Sequence, residues 1–552
     1  MKVPQLSDDR LRITLYAADP DIVTPISCVV DVRGRLYVIE SHTHSPPSEY
    51  PGPDGDLIKV FKGSRLDGRF AERSVFADGI YQAQSLGIAP NGDLYVVCTR
   101  EVLRLHDDDG DGRAEARTRV LHLDPYEKRG NPHGQMMAIA FSNDGWLYVG
   151  TGTTSDDWIG SDGRRLVVGP YWGGIIARCQ RDGTSLERVA WGFWNPFSMT
   201  FDRHGRLIAI DNDPDHRGPN RLLHIVAGGD YGFKRTYGRY GLHPYQSWNG
   251  ELPGTLPMID EIGEAPTAVI DANRAALPPD YRDAMIGASW GEHNLTLYRP
   301  RPAGASLRAS REIFLKGLGH DEKESRFRPS GMAVSPVDGS IYISDWMLID
   351  YTTHLRGRIW RISTTPGVPT MTPRPPYAPQ KPTAGQARML GLTDAAQADE
   401  LPTLQQALKD DDPFIRNAAV TALSRPVFRD KVIRDLEHED GKIRLGALLA
   451  LRRADVENPA SLIGPRLADP DLEVARMAMV WAGEEELRLL ADRIDTAASK
   501  PDLNKAFFET WLATMQIMQN SRPKGPLMPE FLEKLAQDEN RPLFLRAMAI
   551  RW

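Results

Sequence analysis

A short acidic stretch is the sequence feature whose chemistry is easiest to name. Asp107, Asp109 and Asp111 occupy alternate positions, a glycine follows them, and Glu115 lies three residues further on. Acidic side chains in this spacing wrap oxygen ligands around Ca²⁺, as in the first half of an EF-hand loop, although Thr118 stands where that loop has its twelfth-position Glu. We expect the four acidic residues to bind a structural Ca²⁺ ion; the alternative is a plain acidic turn.

Histidines form the second candidate site. His42 and His44 are separated by one residue, and alternate residues of an extended segment face the same way, so both could reach one metal ion together with His133. His133 has a second candidate role, since a histidine that titrates near neutral pH is suited to accept the proton of a sugar hydroxyl. Two interpretations stay open at this point: a metal site that uses His42 and His44, or hydrogen-bonding histidines beside a base.

The composition is that of a globular protein and argues against several classes of function. The 552 residues carry a net charge of −7 and no basic run stands out, which argues against nucleic acid as the main partner. No apolar stretch reaches the ~18 residues that a membrane span needs, and the N-terminus has no signal-peptide core, as in a cytoplasmic chain or one whose signal has been removed. Cys28, Cys98 and Cys179 have neither metal-binding nor haem-binding spacing, so we expect buried thiols.

A repeated β structure must position these candidate residues. Five times a glycine stands just before a short apolar run, with another apolar run upstream, at Gly34, Gly92, Gly145, Gly205 and Gly339. Two apolar runs joined by a glycine turn indicate a β-hairpin. Hairpins that recur at intervals of 58, 53, 60 and 134 residues indicate the blades of a β-propeller.

We therefore predict an all-β, six-bladed β-propeller over residues 10–364. The last interval is close to two periods, so one blade, expected at residues 284–298, has lost its glycine turn. Residues 11–16 alternate between apolar and polar side chains. We expect them to close the ring by completing the last blade, beside its final strand at residues 357–362.

A proline-rich connector, residues 365–384, separates the propeller from a different architecture. Over residues 385–552 the apolar period changes from 2 to 3.6, and repeats begin with an Asp or Pro turn followed about one turn later by an arginine, as at Asp412 and Arg416. This pattern predicts an α-helical solenoid of HEAT type, whose surface suits a protein partner. The pattern still runs at Trp552, as in a chain that continues.

One end of the predicted propeller collects polar residues. The start of each innermost strand and the loop after each second strand open on the same face, which we call the mouth. The residues expected there are Gln82, Asn195, Arg326 and Arg328, together with His42, His44 and His133. Titratable groups that converge around a concavity are typical of small-molecule sites, and Arg326 and Arg328 face alike on a strand and suit a carboxylate. The alternative is a set of solvated loop residues.

Several of these stretches resemble the sugar dehydrogenase-like six-bladed propellers, the superfamily of soluble quinoprotein glucose dehydrogenase and sorbosone dehydrogenase. The likeness is greatest to a planctomycete-type branch named as membrane-bound dehydrogenases, in which C-terminal HEAT repeats also occur. The matching stretches are residues 40–44, 107–112, 133–134, 144–150, 192–196, 211–213, 228–232, 327–330, 345–346 and 357–359. The resemblance implies a periplasmic or secreted protein that acts on a carbohydrate or another small molecule; a cytoplasmic location stays open.

The resemblance also implies roles for single residues. His133 stands where the quinoproteins have the base that abstracts the substrate proton, and Arg326 and Arg328 stand where arginines hold pyrroloquinoline quinone (PQQ). On this likeness Gln82 contacts the cofactor, while Asn195 and Arg328 orient the cofactor or the substrate beside His133.

The chain departs from the family pattern at two cations. Trp194 stands where the quinoproteins have an arginine, and residues 290–291 lie near the place of a cofactor lysine. Losing two cations removes much of the anion binding that a tricarboxylate quinone needs, so the resemblance implies PQQ while these two positions oppose it. The chain has no CxxCH cytochrome motif. An electron acceptor is therefore expected to be a separate cytochrome or similar partner, or to lie beyond Trp552.

Three functions remain open on the sequence. The first is a carbohydrate-directed oxidoreductase in which His133 is the base. The second is a metal-dependent glycan lyase or hydrolase that uses His42, His44 and His133. The third is a non-catalytic glycan-binding or scaffold protein whose solenoid docks a partner. The fold is compatible with all three.

Overall fold

The structure is a computed structural model that describes residues 3–125, 134–169, 173–318, 327–349, 351–499, 503–519 and 529–551. The chain divides into two compact units. The first, here called the propeller, comprises Met1–Asp213, Gly218–Val226 and Met258–Pro382. The second, here called the helical unit, comprises Pro214–Arg217, Ala227–Pro257 and Thr383–Trp552.

The propeller contains six antiparallel sheets, as the glycine spacing predicts. Two strands precede the first blade in the chain: β1 (Gln5–Leu6) and β2 (Leu11–Ala18). Blade 1 contains β3 (Pro25–Val30), β4 (Leu36–Glu40), β5 (Asp56–Lys62) and β6 (Glu72–Ile80). Blade 2 contains β7 (Ala83–Ile88), β8 (Leu94–Cys98), β9 (Glu101–His106) and β10 (Ala116–Asp124).

The third blade is interrupted by a hairpin that joins its neighbour. The next strands are β11 (Met136–Phe141), β12 (Leu147–Thr151), β13 (Asp157–Gly160), β14 (Arg165–Leu166), β15 (Gly174–Cys179) and β16 (Glu187–Phe193). Of these, β11, β12, β15 and β16 form blade 3, whereas β13 and β14 extend the outer edge of blade 2 beside β10.

The remaining strands complete the ring. Blade 4 contains β17 (Asn195–Phe201), β18 (Leu207–Asn212) and β19 (Asn220–Ile225); β20 (Gly229–Asp230) follows in the chain, and β21 (Asp260–Ile262) is the last strand of the blade. Blade 5 contains β22 (Pro266–Asp271), β23 (Met285–Ser289), β24 (Asn294–Ala303) and β25 (Ser306–Lys316). Blade 6 contains β26 (Pro329–Val334), β27 (Ile341–Asp345) and β28 (Arg358–Thr364).

The N-terminal strands close the ring. Strand β2 is the outermost strand of blade 6, where Leu11 lies opposite Thr364, so the predicted closure is confirmed. Strand β1 pairs with β25, with Gln5 opposite Lys316. The first residues of the chain therefore tie together the two blades that come last in the sequence.

The first two strands of a blade form the hairpin that the sequence indicates. All five hairpin glycines have a positive φ, for example 95° at Gly92, a conformation that side chains with a Cβ rarely adopt. A carboxylate supports the turn in blade 1, where Asp31 Oδ1 accepts hydrogen bonds from the backbone N–H groups of Arg33 and Arg35. The sequence signature is therefore a physical requirement of the turn.

Blade 5 differs from the prediction. Residues 284–298 contain its second strand and much of its third, and the innermost strand, β22, lies further upstream. Residues 272–284 join β22 to β23 in place of a glycine turn. This longer connection packs against the hairpin of blade 6, since a Cβ added at Gly339 would lie 2.3 Å from the backbone nitrogen of Ala276.

The apolar core of the propeller lies between neighbouring blades. Strands β4, β8 and β27 are buried along their whole length because each has a blade on both sides. One cluster joins Ile286 of blade 5 to Ile343 and Trp360 of blade 6. The three cysteines are buried, as predicted.

The helical unit contains eleven α-helices among its described residues. They are α1 (Ala384–Asp394), α2 (Leu401–Leu408), α3 (Pro413–Leu423), α4 (Arg429–Asp435), α5 (Gly441–Arg453), α6 (Ala460–Arg466), α7 (Leu472–Glu484), α8 (Ala491–Ala497), α9 (Lys505–Met518), α10 (Pro529–Gln537) and α11 (Leu543–Arg551). The repeated aspartates cap helix starts, as Asp440 does by accepting from Lys442 N at 2.9 Å. In the part of the chain that is described, no helix has both the length and the apolar character to cross a membrane.

The helical unit also includes residues 227–257, which lie in the sequence between two strands of blade 4. Inside this unit the buried carboxylate of Glu484 contacts Lys234 at 2.7 Å and Arg452 at 2.5 Å. The Tyr245 hydroxyl lies 2.6 Å from Thr514 Oγ1. Residues 227–257 therefore contribute both charge and hydrogen bonds to the core of the helical unit.

Candidate functional site

The mouth forms where the sequence analysis expects it. The register places the start of each innermost strand opposite the end of the second strand, as for Ala83 with Cys98, Asn195 with Asn212 and Pro329 with Asp345. The first residues of the inner strands and the loops after the second strands therefore share one end of the propeller.

Four buried ion pairs surround the mouth. They are Lys59 with Glu40 (2.6 Å), Arg100 with Asp156 (2.6 Å), Arg221 with Asp211 (2.6 Å) and Arg358 with Asp345 (2.7 Å). In blades 4 and 6 the arrangement repeats, because the carboxylate ends the second strand and the arginine lies directly opposite on the third. Each of these four cations is neutralised inside the protein.

The buried carboxylates also fix the backbone of the innermost strands. Asp211 Oδ1 accepts from Asn195 N at 2.7 Å, and Asp345 Oδ1 accepts from Arg328 N at 2.8 Å. In blade 1, Asp56 Oδ2 accepts from Ala83 N, at the start of the inner strand of blade 2, at 2.8 Å. These hydrogen bonds hold the first residues of the inner strands in place, so the mouth has a rigid wall.

The two histidines of the predicted metal pair have different environments. His42 is buried; its Nε2 donates to Glu40 Oε1 at 3.0 Å, and its Nδ1 accepts from the Tyr50 hydroxyl. His44 is half-buried and packs edge-on against Trp346, and burial lowers the pKa of its ring. A metal ion would have to displace a hydrogen-bond partner of His42 before His42 and His44 could bind it together.

An aromatic group lies between blades 5 and 6 at the mouth. Trp290 and Tyr351 stack with their ring centroids 5.0 Å apart and an interplanar angle of 11°. The Arg328 guanidinium carbon lies 4.2 Å from the Trp290 ring centroid, and Arg328 Nη1 donates to the Trp290 carbonyl at 2.9 Å. Arg328 is 1% exposed and Tyr351 is 62% exposed, so the group extends from the buried wall into solvent. We call Trp290 and Tyr351 the platform.

Two further predicted residues line the same end. Asn195 is buried, and its side-chain Oδ1 has no hydrogen-bond partner in the described structure. Gln82 has a φ of 50°; its N–H donates to Thr43 Oγ1 at 2.7 Å, and its Oε1 accepts from Thr99 Oγ1 at 2.9 Å. The Asn195 amide oxygen is thus a buried acceptor with no partner among the described residues, while the Gln82 side chain is hydrogen-bonded within the wall.

Two predicted site residues, His133 and Arg326, lie outside the described residues. Their proposed roles as base and as anion ligand therefore stay predictions. The described part of the mouth contains Arg328, Asn195, His42 and His44 of the same predicted set.

The predicted calcium ligands come together in the turn between β9 and β10. Ligand oxygens of Asp107, Asp109, Asp111 and Glu115 all lie within 4.8 Å of one another. The turn is partly ordered by its own carboxylates, since Glu115 Oε2 accepts from Asp108 N at 2.9 Å. The arrangement has the charge and the oxygen atoms that Ca²⁺ prefers, and Ca²⁺ binding there stays a prediction.

Comparisons with known proteins leave the chemistry of this chain open. Residues 6–231 match the sequence model of a family described as a domain of unknown function (DUF7133). No curated protein matches the chain significantly.

Similar solved structures include several sugar dehydrogenases. The PQQ domain of pyranose dehydrogenase from Coprinopsis cinerea is 13% identical, with 65% of this chain and 97% of that chain covered and a TM-score of 0.46. An oxidoreductase described as a glucose dehydrogenase from Thermus thermophilus is 18% identical, with coverages of 64% and 99% and a TM-score of 0.44. The PQQ-bound aldose sugar dehydrogenase from Streptomyces coelicolor is 15% identical, with coverages of 66% and 100% and a TM-score of 0.42. At this identity the likeness concerns the fold alone.

The sequence analysis missed the platform and the ion pairs. Lys59 carried a signal, because it interrupts the apolar run of β5 and a lysine inside a buried strand requires an anionic partner. The sequence signal for the platform was weaker. Trp290 directly follows the second strand of blade 5 and Tyr351 lies shortly after the second strand of blade 6, but the two residues are 61 positions apart.

Proposed function

We propose that the protein is a carbohydrate-directed oxidoreductase whose substrate ring lies on the platform at the mouth. The observation that carries the proposal is the stack of Trp290 and Tyr351 above the buried Arg328 guanidinium. Sugar rings present C–H faces that pack on aromatic rings, and a few fixed polar atoms around such a surface give orientation. The reaction class comes from the resemblance of the sequence motifs to sugar dehydrogenase-like propellers.

The described polar groups suit a neutral, hydroxyl-rich ligand. Asn195 Oδ1 is an acceptor with no partner in the described structure, so it can receive a sugar O–H. Arg328 is held against the Trp290 carbonyl and ring, where its charge polarises the platform from below. In this proposal His133 accepts the proton of the oxidised hydroxyl, as the sequence analysis predicts.

The described residues do not fit PQQ. A quinone with three carboxylates needs cations that are not already neutralised. Around the described mouth, Lys59, Arg100, Arg221 and Arg358 are each paired with a buried carboxylate. We therefore assign no step to PQQ. Oxidation of the sugar hydroxyl also releases a hydride from the neighbouring carbon, and in this proposal that hydride passes to a separate two-electron acceptor, from which a cytochrome can take the electrons one at a time.

A dye-linked oxidation assay on a panel of aldoses tests the proposal, run with and without added PQQ and Ca²⁺. Wild-type protein should oxidise at least one sugar, and Trp290→Ala should weaken binding of that sugar about tenfold, the scale of one aromatic contact. Trp146→Ala is the matched control, because Trp146 also has an arginine over its ring, Arg178 at 4.4 Å, but lies in the hairpin turn at the other end of blade 3. Equal effects of the two substitutions would contradict the proposal.

A second candidate is a non-catalytic glycan-binding protein. The four neutralised ion pairs favour it, because they make those four cations unavailable to an anionic cofactor. In this case the platform binds a sugar, Trp290→Ala abolishes the binding, and no sugar of the panel reduces the dye under any cofactor condition.

A further inference from the structure

A cavity of about 760 Å³ occupies the central channel of the propeller, towards the end opposite the mouth. Residues of the innermost strands of all six blades line it, and so do residues 374–377 and 379 of the proline-rich connector. Its wall includes the polar side chains of Ser27, Gln84, Ser198, Thr267 and Ser330. The cavity is therefore lined by polar as well as apolar side chains, and the chain itself covers it at one end.

The connector is fastened across this end of the channel. Its hydrogen bonds within the propeller include Met371 N to Leu277 O (2.8 Å), Arg374 N to Asn273 O (2.7 Å), Gln380 N to Arg203 O (2.6 Å), Arg374 Nη2 to Asp271 Oδ2 (2.9 Å) and the Tyr377 hydroxyl to Ile88 O. These contacts reach blades 2, 4 and 5. The connector thus fixes the position of the arginine that it brings to the cavity, Arg374.

Two arginines reach this end of the cavity, but only one of them has a carboxylate partner. Arg374 ion-pairs with the buried Asp271 at 2.9 Å. Asp271 Oδ1 is used by Asn273, whose N–H donates to it at 3.0 Å. Arg274 is half-buried, lines the cavity, and makes neither a hydrogen bond nor an ion pair with any residue that the structure describes. Burial lowers the pKa of Arg274.

The other carboxylates that line the cavity do not neutralise Arg274. Three are engaged by arginines of their own: Asp31 with Arg35 (2.6 Å), Asp93 with Arg104 (2.8 Å) and Asp202 with Arg206 (3.0 Å). Asp107 belongs to the acidic turn in blade 2, and the remaining cation on the wall is the exposed Arg33. The charged residues of the cavity wall are thus four cations and four carboxylates, and close to Arg274 two arginines, Arg274 and Arg374, share the one carboxylate of Asp271.

We infer that this end of the channel binds a small oxyanion, a carboxylate or a phosphate, through the Arg274 guanidinium. A guanidinium offers a planar set of N–H donors that matches two oxygens of such an anion, and burial from water strengthens the contact. The cavity is large enough for a small anion with its water. The site is distinct from the platform and does not depend on the proposed oxidoreductase function.

Calorimetric titration of the full-length protein with inorganic phosphate and, separately, with acetate at low ionic strength tests the inference. Wild-type protein should bind at least one of the two anions at a single site, and the two titrations distinguish a phosphate site from a carboxylate site. Arg274→Gln should weaken that binding about tenfold or more, and Arg274→Lys should restore part of it as a point charge.

Arg35→Gln is the matched control, because Arg35 lines the same cavity but is already paired with Asp31. Anion binding should survive this change. Circular dichroism must show that each variant is folded. The inference is overturned if neither anion binds, or if both anions bind Arg274→Gln as tightly as wild-type protein, which would indicate an adventitious ion only.

Discussion

At the mouth of the propeller each of four buried cations forms an ion pair with a carboxylate, whereas at the other end of the channel Arg274 forms none with any described residue, and Asp271, which attracts it, is already paired with Arg374. Both ends of the channel are built from the same strands, so the difference in charge pairing comes from the residues at the two ends of each strand. The described mouth has four neutralised ion pairs and an aromatic platform beside Arg328. The covered end of the channel brings two arginines, Arg274 and Arg374, close to one buried carboxylate, Asp271.

This comparison separates charges that build the structure from charges that are available to ligands. A buried cation whose carboxylate also accepts backbone hydrogen bonds is part of the wall, as Arg358 is beside Asp345. A cation that lines a cavity without an acceptor can bind an anion. By this criterion the mouth is suited to a neutral ligand and the covered end to an anionic one.

The largest effect is expected from breaking an ion pair of the mouth. Asp345→Asn leaves Arg358 buried without a counter-charge, which should cost about 3–5 kcal/mol of the free energy of unfolding of the propeller. Asp338→Asn is the control on the same blade, since Asp338 pairs with Arg361 near the surface and should cost less than about 1 kcal/mol. Urea denaturation measures both. Similar losses in the two variants would show that the mouth pairs are not special.

The helical unit shows a third arrangement of buried charge, in which the carboxylate of Glu484 contacts two cations, Arg452 and Lys234. Burial alone would raise the pKa of Glu484, but the charges of Arg452 and Lys234 hold it at about 2. Because this pKa is lower in the folded state than the ordinary value of 4.5, the stabilisation is present above pH 4.5 and is lost as the pH falls towards 2. The loss should approach about 3 kcal/mol.

Acid titration of helical circular dichroism checks this dependence. Glu473→Gln should change the profile much less, because the side chain of Glu473, the partner of Arg476, is 39% exposed to solvent whereas that of Glu484 is fully buried. Glu484→Gln should flatten it between pH 4.5 and about 2. An unchanged profile in Glu484→Gln would refute the assignment.

The acidic turn of blade 2 differs from the Arg274 end in the sign of its charge, because it brings four carboxylates close together. If it binds Ca²⁺, the ion should stabilise the propeller by about 2.7 kcal/mol when its concentration is one hundred times the dissociation constant. A chelator should lower the melting temperature of wild-type protein, and Asp109→Ala should remove that sensitivity. A melting curve that does not respond to the chelator would rule the site out.

The smallest effect concerns the connector. Tyr377→Phe removes the hydrogen bond to the Ile88 carbonyl and should cost about 1 kcal/mol of stability. If the connector covers the channel end as the structure indicates, backbone amide exchange at Arg374 and Gln380, whose N–H groups donate to the propeller, should also rise. Exchange that stays at the wild-type rate would show that Tyr377 does not hold the connector.

Much of the fold could be predicted because its turns need particular residues. The five hairpin glycines identified blades 1, 2, 3, 4 and 6, and the capping aspartates identified helix starts. Blade 5 was placed too late in the chain because residues 272–284 replace the glycine turn. The role of residues 227–257 could not be predicted from periodicity, since the contact of Lys234 with Glu484 joins positions 250 residues apart.

The candidate site was less predictable than the fold. Residue types and strand ends indicated Asn195, Arg328 and the two mouth histidines. They did not indicate that Glu40 and Tyr50 form hydrogen bonds with the two ring nitrogens of His42. Such pairing is decided by tertiary contacts. For the same reason, no sequence pattern distinguished Arg274, which lacks an acceptor in the described structure, from the paired arginines.

The most direct test is to titrate wild-type protein, Trp290→Ala and Arg274→Gln with two ligands: the neutral sugar that binds best in the aldose panel, and the better of phosphate and acetate. The account predicts that Trp290→Ala loses the sugar and keeps the anion, while Arg274→Gln loses the anion and keeps the sugar. Loss of both ligands in either folded variant, or of neither ligand in both, would contradict the claim that the two ends of the channel bind different classes of ligand.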